Sequence, residues 1–310
     1  MANLAKRKLG RTGLDVTVLG YGAMELRGAA SGGRGRPIES EQAGKILNAV
    51  LDSGINFIDT SIDYGDSEES IGKYISNRRK EYFLASKCGC IVDPNAGPSQ
   101  SNSTPSPHVF TRKNIIMGVE QSLKRMKTDH LDLVQLHASP SKEVIDRESS
   151  VQTLLDLKKE GKVRFIGSSS ILPNIHDHIK MGVFDEFQIP YSALQREHEA
   201  AITEAAKAGA GIVVRGGVAR GVPGEGRGSQ DIWKLWDKAG LDDLLNGISQ
   251  MEFILRFTIS NPDMATTIVG TMNQEHLKQN IDAASKGPLP ASVYAEAKRR
   301  LAAAVNSAIV

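Results

Sequence analysis

The chain has 310 residues, with 38 basic and 36 acidic side chains and a formal charge of +2, a balance that gives no reason to expect nucleic acid or an acidic membrane as partner. Hydrophobic residues make up 40%, about 48% when Gly is counted in place of Tyr, which excludes disorder for most of the chain. No apolar run approaches about 18 residues, the start lacks a secretory core of roughly 7–15 apolar residues, and Cys88 and Cys90 are the sole cysteines, so a cytoplasmic globular protein without disulfides is expected.

The opening RKLGRTGLDV predicts a small hairpin turning at Arg11 to Gly13, followed by a strand over 16–20. Ser40 is placed to cap a helix running to 53. A second strand at 56–59, a helix over 67–77 and a third strand at 82–87 follow, then a polar insert over 93–108 rich in Pro, Ser and Asn. Thr111 starts the next helix, LDLVQL forms the fourth strand, and a helix covers 150–160. Strands at 165–167, 187–189, 212–214 and 267–269 complete the count, each followed by a helical segment, and 291–310 reads as a C-terminal helix.

Eight short, almost wholly apolar strands alternating with helices predict parallel strands buried on both faces. The arithmetic fits an α/β fold, a (β/α)8 TIM barrel with an N-terminal hairpin and an extra C-terminal helix, in a single domain over 1–310. The rival is an open doubly wound sheet. Its fingerprint would have to be GYGAME (20–25), which has Glu where the third Gly belongs.

In a barrel, chemistry belongs at the C-terminal strand ends. Asp59 closes the second strand with Tyr64 in the loop beyond, Lys87 closes the third, and His137 follows the fourth. Ionisable residues closing apolar strands are costly to bury unless they satisfy one another. A Lys87 ammonium would lower the pKa of a Tyr64 phenol, Asp59 would orient Lys87, and His137 would hydrogen-bond a carbonyl oxygen. Such a set suits reduction of an aldehyde or ketone, given a hydride-carrying cofactor.

At these residues the chain resembles the aldo-keto reductase family. The resemblance is carried by GINFIDTSIDYGDSEESIG (54–72), FLASKCG around Lys87 and LVQLHAS around His137. RKLGRTGLDVTVLGYGAM resembles the start of the bacterial and potassium-channel beta-subunit branch. The resemblance implies a catalytic tetrad of Asp59, Tyr64, Lys87 and His137, a small-molecule carbonyl substrate, and a nicotinamide cofactor lying across the barrel mouth. NADPH is the implied cofactor, with NADH as the alternative. By position, the resemblance puts cofactor contacts on Gly22, Ala23, Met24 and Asp59, and carboxamide contacts on Ser169, Ser170 and Gln188, with Ser170 replacing the family's usual Asn. Arg215 stands where the family stacks a Tyr on the nicotinamide, and a fixed charge there favours reduction over oxidation. The loop from Gly216 through Val218 and Arg220 to Arg227 would close over the pyrophosphate. Gly270, Met272 and His276 occupy positions that often hold basic residues for the 2′-phosphate, while Gln279 and Asn280 match adenine contacts.

Other readings stand beside this one. A channel-subunit-like module would bind cofactor as a regulator or sensor with little turnover. A metal-dependent barrel hydrolase would need a ligand cluster at the end of the first strand, where Gly20, Tyr21 and Gly22 stand, so no metal is expected. For the two cysteines, zinc would require two further ligands that the sequence does not make evident, and small pocket-wall residues are the simpler reading. His176 and His178, two apart on a helix, do not share a face. The basic run 78–80 reads as a solvated helix end, and Trp233 and Trp236 as core packing or as walls of the substrate mouth. The natural substrate is not legible, and the oligomeric state is left open, a monomer included.

Overall fold

In the computed structural model, which describes residues 3–28, 37–101, 104, 106–224 and 228–306, the chain enters through an antiparallel pair, β1 (Lys6–Lys8) and β2 (Asp15–Thr17). Eight parallel strands then close a (β/α)8 barrel. They are β3 (Leu19–Gly22), β4 (Phe57–Asp59), β5 (Phe83–Cys88), β6 (Leu131–Leu136), β7 (Val163–Ser169), β8 (Glu186–Pro190), β9 (Gly211–Arg215) and β10 (Thr266–Val269), with β10 pairing back onto β3. Around them run α1 (Ser40–Asp52), α2 (Ser67–Tyr74), α3 (Arg112–Met126), α4 (Lys142–Arg147), α5 (Ser150–Lys159), α6 (Ile175–Met181), α7 (Glu199–Lys207), α8 (Gln230–Lys238), α9 (Gln250–Ile259), α10 (Gln274–Ser285) and α11 (Ala291–Asn306).

Every residue of β6 is buried, as expected for a strand covered by side chains inside and helices outside. Two apolar layers result: one between strands and helices, the other inside the barrel floor, where Leu9, Leu14 and Val16 of the hairpin meet Phe57, Ala85, Leu133, Val213 and Ala265. Among the described residues, no helix is long and apolar enough to cross a membrane.

Several expectations are corrected. The strand read over 16–20 is two: β2 pairs with β1 in the hairpin, and after Val18 the chain turns into β3 of the barrel. Helix α1 has Glu39 at its N-cap position, and Ser40 is its first helical residue. Thr111 does cap α3, its side chain accepting from Asn114 N. The short α4 lies in a segment read as loop, and α9 precedes β10. The end of the C-terminal helix, 307–310, lies outside the described residues. Within the basic run, Arg79 is not solvated: it donates to the buried Asp132 at 2.7 Å and to the carbonyls of Tyr82 and His130.

Candidate active site

The C-terminal ends of β4, β5 and β6 converge at one rim of the barrel. Asp59 is the last residue of β4 and Lys87 lies in β5. Their side chains form a buried ion pair, with Lys87 Nζ 2.6 Å from Asp59 Oδ1 and 2.8 Å from the Thr60 carbonyl. The second carboxylate oxygen accepts from Gln188 Nε2 at 2.9 Å and from Gln135 Nε2 at 3.2 Å. Asp59 therefore has its lone pairs engaged by three neighbours, the condition under which a buried charge is tolerated.

Tyr64, half-buried in the loop after β4, lays its ring near two cations, Lys87 Nζ at 5.0 Å and the Arg27 guanidinium at 5.3 Å from the ring centroid. His137 meets it edge-on, the ring centroids 6.1 Å apart. Burial pushes the Tyr64 phenol above its ordinary value; Lys87 pulls it down and Asp59 and Asp63 push it up. Burial outweighs the lysine, so Tyr64 keeps its proton at neutral pH. Burial opposes the Lys87 charge, but Asp59 and Tyr64 outweigh it and the ammonium stays protonated. His137 is pushed down to about 3, by burial first and against the pull of Asp63, and is neutral at physiological pH.

The residues singled out for a cofactor are distributed around the same rim. Ser169 donates to Gln188 Oε1 at 3.4 Å, so Gln188 links it to Asp59. Ser170 is fully buried and directs its hydroxyl at the His178 ring and Ser168, away from the rim. His178 is buried, whereas His176 pairs with Glu204 at 2.7 Å. Arg215 ends β9, half-buried, with no hydrogen bond or ion pair to its guanidinium among the described residues. Beyond it, Gly216 (φ 73), Ala219 (φ 49) and Arg220 (φ 62) have left-handed backbone; Val218 is half-buried and Arg220 exposed. Trp233 anchors this loop through Nε1 to the Gly221 carbonyl at 3.0 Å, and Trp236 is fully buried against Phe253. Arg227 lies outside the described residues.

Gly22 and Gly270 touch by backbone: a Cβ on Gly270 would lie 2.4 Å from the Gly22 carbonyl oxygen. The Ala23 carbonyl accepts from Ser67, and that of the exposed Met24 from Arg27 Nε. Met272 is half-buried, while His276 and Gln279 are exposed and Asn280 half-buried on α10.

Residues 18–301 match the Aldo/keto reductase family. The chain belongs to that family. An uncharacterized oxidoreductase of Bacillus subtilis, YqkF, is 30% identical over 299 residues, spanning 91% of this chain and 92% of that protein. The L-galactose dehydrogenase of Arabidopsis thaliana is 25% identical over 305 residues, 92% of this chain and 90% of that protein. Among solved structures, the holo form of an aldo-keto reductase from Bacillus halodurans superposes with a TM-score of 0.80 at 27% identity, covering 96% of each chain.

In this aldo-keto reductase, tertiary structure adds residues that no sequence pattern singles out. Arg27 arrives from the loop after β3, Gln135 from inside β6, and Glu186 from the start of β8, all buried. Asp63 and His108 meet beside His137, with His108 brought there by the insert over 93–108. Their signals are spread over segments far apart in the chain, and no spacing rule joins them.

Proposed function

We propose that this oxidoreductase reduces a small aldehyde or ketone to an alcohol with a nicotinamide cofactor. One observation carries the reading: the protonated Tyr64 phenol beside a buried, charged Lys87 that Asp59 holds at 2.6 Å. Among the described residues the Tyr64 hydroxyl has no protein partner, which leaves it to meet a substrate oxygen. An alkoxide is far more basic than a phenolate, so Tyr64 gives up its proton only as negative charge builds on that oxygen. Lys87 lowers the energy of the phenolate left behind, and Asp59 fixes the ammonium beneath the ring. His137, neutral, orients the carbonyl when its pocket-facing ring nitrogen carries the proton and donates to the oxygen.

The rim's own chemistry fits a dinucleotide. Among the described residues the Arg215 guanidinium has no hydrogen-bond or ion-pair partner, which leaves it for an aromatic or anionic group, and a side chain on Gly216 would meet nothing within 4 Å. When bound, the cofactor supplies hydride to the carbonyl carbon. Gln188 and Ser169 would hold the carboxamide, Arg215 the nicotinamide face, and the backbone from Gly216 to Arg220 the diphosphate. Gln279 and Asn280 would take the adenine. NADPH is the proposed donor, and the absence of Lys or Arg at Gly270, Met272 and His276 argues that NADH is accepted too.

The test is multiple-turnover oxidation of NADPH and NADH over a broad carbonyl panel, with Tyr64→Phe as control. The variant is expected to lose about 100- to 10,000-fold in kcat, the usual share of a general acid, with cofactor Kd unchanged. A Tyr64→Phe enzyme with normal kcat would overturn the mechanism. Tight cofactor binding without turnover on any carbonyl would favour a regulatory, channel-subunit-like role.

A further inference from the structure

Behind the catalytic pocket, four side chains from four separate segments point at one small volume. Cys90 Sγ lies 3.3 Å from His137 Nδ1 and 3.4 Å from His108 Nε2, and those two nitrogens are 3.1 Å apart. Asp63 Oδ1 stands 3.9 Å from His137 Nδ1, and all four ligand atoms lie within 4.8 Å of one another. Cys90, His108 and His137 are buried. A tetrahedral zinc ion with bonds of about 2.0–2.3 Å places its ligand atoms about 3.3–3.6 Å apart. The three distances within the Cys–His–His face match that spacing to about 0.2 Å, and Asp63 Oδ1, up to 4.8 Å from the other ligand atoms, would move inward by about 1 Å to complete the tetrahedron.

We propose that Asp63, Cys90, His108 and His137 hold a divalent transition-metal ion of the zinc class against the back of the catalytic histidine. The donor set is chemically consistent. One thiolate and one carboxylate neutralise the two positive charges, and two neutral imidazoles complete the coordination, so the buried site carries no net charge. Binding breaks the Cys90 S–H bond, releases that proton to solvent and forms a metal–sulfur bond; nothing is oxidised or reduced.

The surroundings orient the ligands as a metal site requires. Ser61 Oγ donates to Asp63 Oδ1 at 2.7 Å. His108 Nδ1 lies 2.7 Å from the Ser106 carbonyl, which only accepts, so the ring proton sits on Nδ1 and the Nε2 lone pair faces the cluster. Position is enforced from below: Asn114, fully buried, donates to the carbonyls of Cys90 and Val109 and accepts from the amides of Val92 and Asp93. It thereby ties both sides of the Cys90–His108 bridge together.

The ion decides what His137 presents to the substrate. Without it, two neutral imidazoles 3.1 Å apart need a proton between them, and His108 has already placed its own on Ser106. His137 must then donate from Nδ1, which leaves Nε2 bare toward the pocket. With an ion on Nδ1, the proton moves to Nε2, and His137 becomes a hydrogen-bond donor to a carbonyl oxygen. This consequence rests on the carbonyl-reduction reading; the metal site itself does not.

The test begins with metal analysis of purified wild-type protein, expected to give one zinc per chain that survives dialysis. After removal with a chelator, titration with Co2+ is expected to give intense visible d–d bands and a near-ultraviolet thiolate-to-cobalt band at one equivalent. Cys90→Ser and His108→Asn, checked for folding by circular dichroism, are expected to weaken binding by more than the roughly 100-fold that loss of an outer partner costs, and Cys90→Ser to abolish the thiolate band. The 15N shifts of His137 are expected to switch from the Nδ1–H to the Nε2–H form when zinc is added. Folded wild-type protein that gives no thiolate band with Co2+ and no change of the His137 tautomer with Zn2+ overturns the proposal, whether or not the enzyme reduces carbonyls.

Discussion

Glu186 is the residue whose chemistry is furthest from what its surroundings offer. It is fully buried in β8, neither carboxyl oxygen has a hydrogen-bond partner among the described residues, and burial raises its pKa well above the ordinary carboxylate range, with Asp59 pushing the same way. It therefore holds its proton in the folded enzyme at pH values where the unfolded chain has released it. The native state binds more protons than the unfolded state above about pH 4.3, so this residue makes stability fall as pH rises, by about 1.4 kcal/mol per unit until the folded value is reached. Glu186→Gln removes that dependence. Urea unfolding of both proteins between pH 5 and 8 is expected to show the variant's advantage growing with pH; a pH-independent difference would contradict a protonated Glu186. Glu68, also buried and raised chiefly by burial, acts with the same sign but cancels in the comparison.

At the scale of elements, the barrel accommodates this carboxyl by leaving out a side chain. In register, Gln135 of β6 faces Gly167 of β7, which faces Glu186 of β8. A Cβ on Gly167 would lie 2.1 Å from Glu186 Oε2 and 3.2 Å from Leu133 Cδ1. Gly167→Ala is expected to destabilise by about 1–3 kcal/mol, the usual range for overpacking a core. Much of that loss is expected to vanish in a Glu186→Ala background, a coupling of about 1 kcal/mol or more that a double-mutant cycle measures. The same scale shows why the element reading succeeded in some places. LDLVQL is four-sixths apolar, buried throughout and flanked by polar turns, so β6 is legible to the residue. The run over 16–20 is equally apolar, yet its two halves pair with different partners, and continuity of pattern carries no information about partners. Helix α4 has only six residues, started by Ser141, whose hydroxyl accepts from Val144 N. So short a helix offers no periodicity to read.

At the scale of the molecule, the barrel has one end for chemistry and one that the hairpin seals. Leu9 is fully buried in the floor cluster with Phe57, Leu133 and Val213. A Cβ on Gly10 would lie 2.2 Å from Gly211 N, so the hairpin backbone presses directly on the start of β9. Arg7 adds three hydrogen bonds, to the carbonyl of Ile259 at the end of α9 and to those of Asn261 and Met264 in the turn beyond it. Leu9→Ala is expected to cost about 2–5 kcal/mol, seen as a lower Tm, while kcat and KM at low temperature stay at wild-type values. A change in KM as large as the change in stability would show that floor and rim are coupled.

The sequence by itself determined the barrel and its eight strands, and it singled out the four residues proposed to carry the proton chemistry. Strand burial is written locally, as short apolar runs bounded by turns, and the segment around Asp59 and Tyr64 is long enough to be distinctive. It also yielded the family, now supported by a match over residues 18–301. Tertiary structure alone decided that Gln135 and Gln188 share one oxygen of Asp59, that Ser170 turns to His178, and that Arg27 lies over Tyr64. It alone brought the ligand atoms of Asp63, Cys90, His108 and His137 within 4.8 Å of one another. Those pairings join strands and loops tens of residues apart, and barrel closure sets their distances; no local pattern of residue types can encode a distance between segments that only the closed sheet brings together.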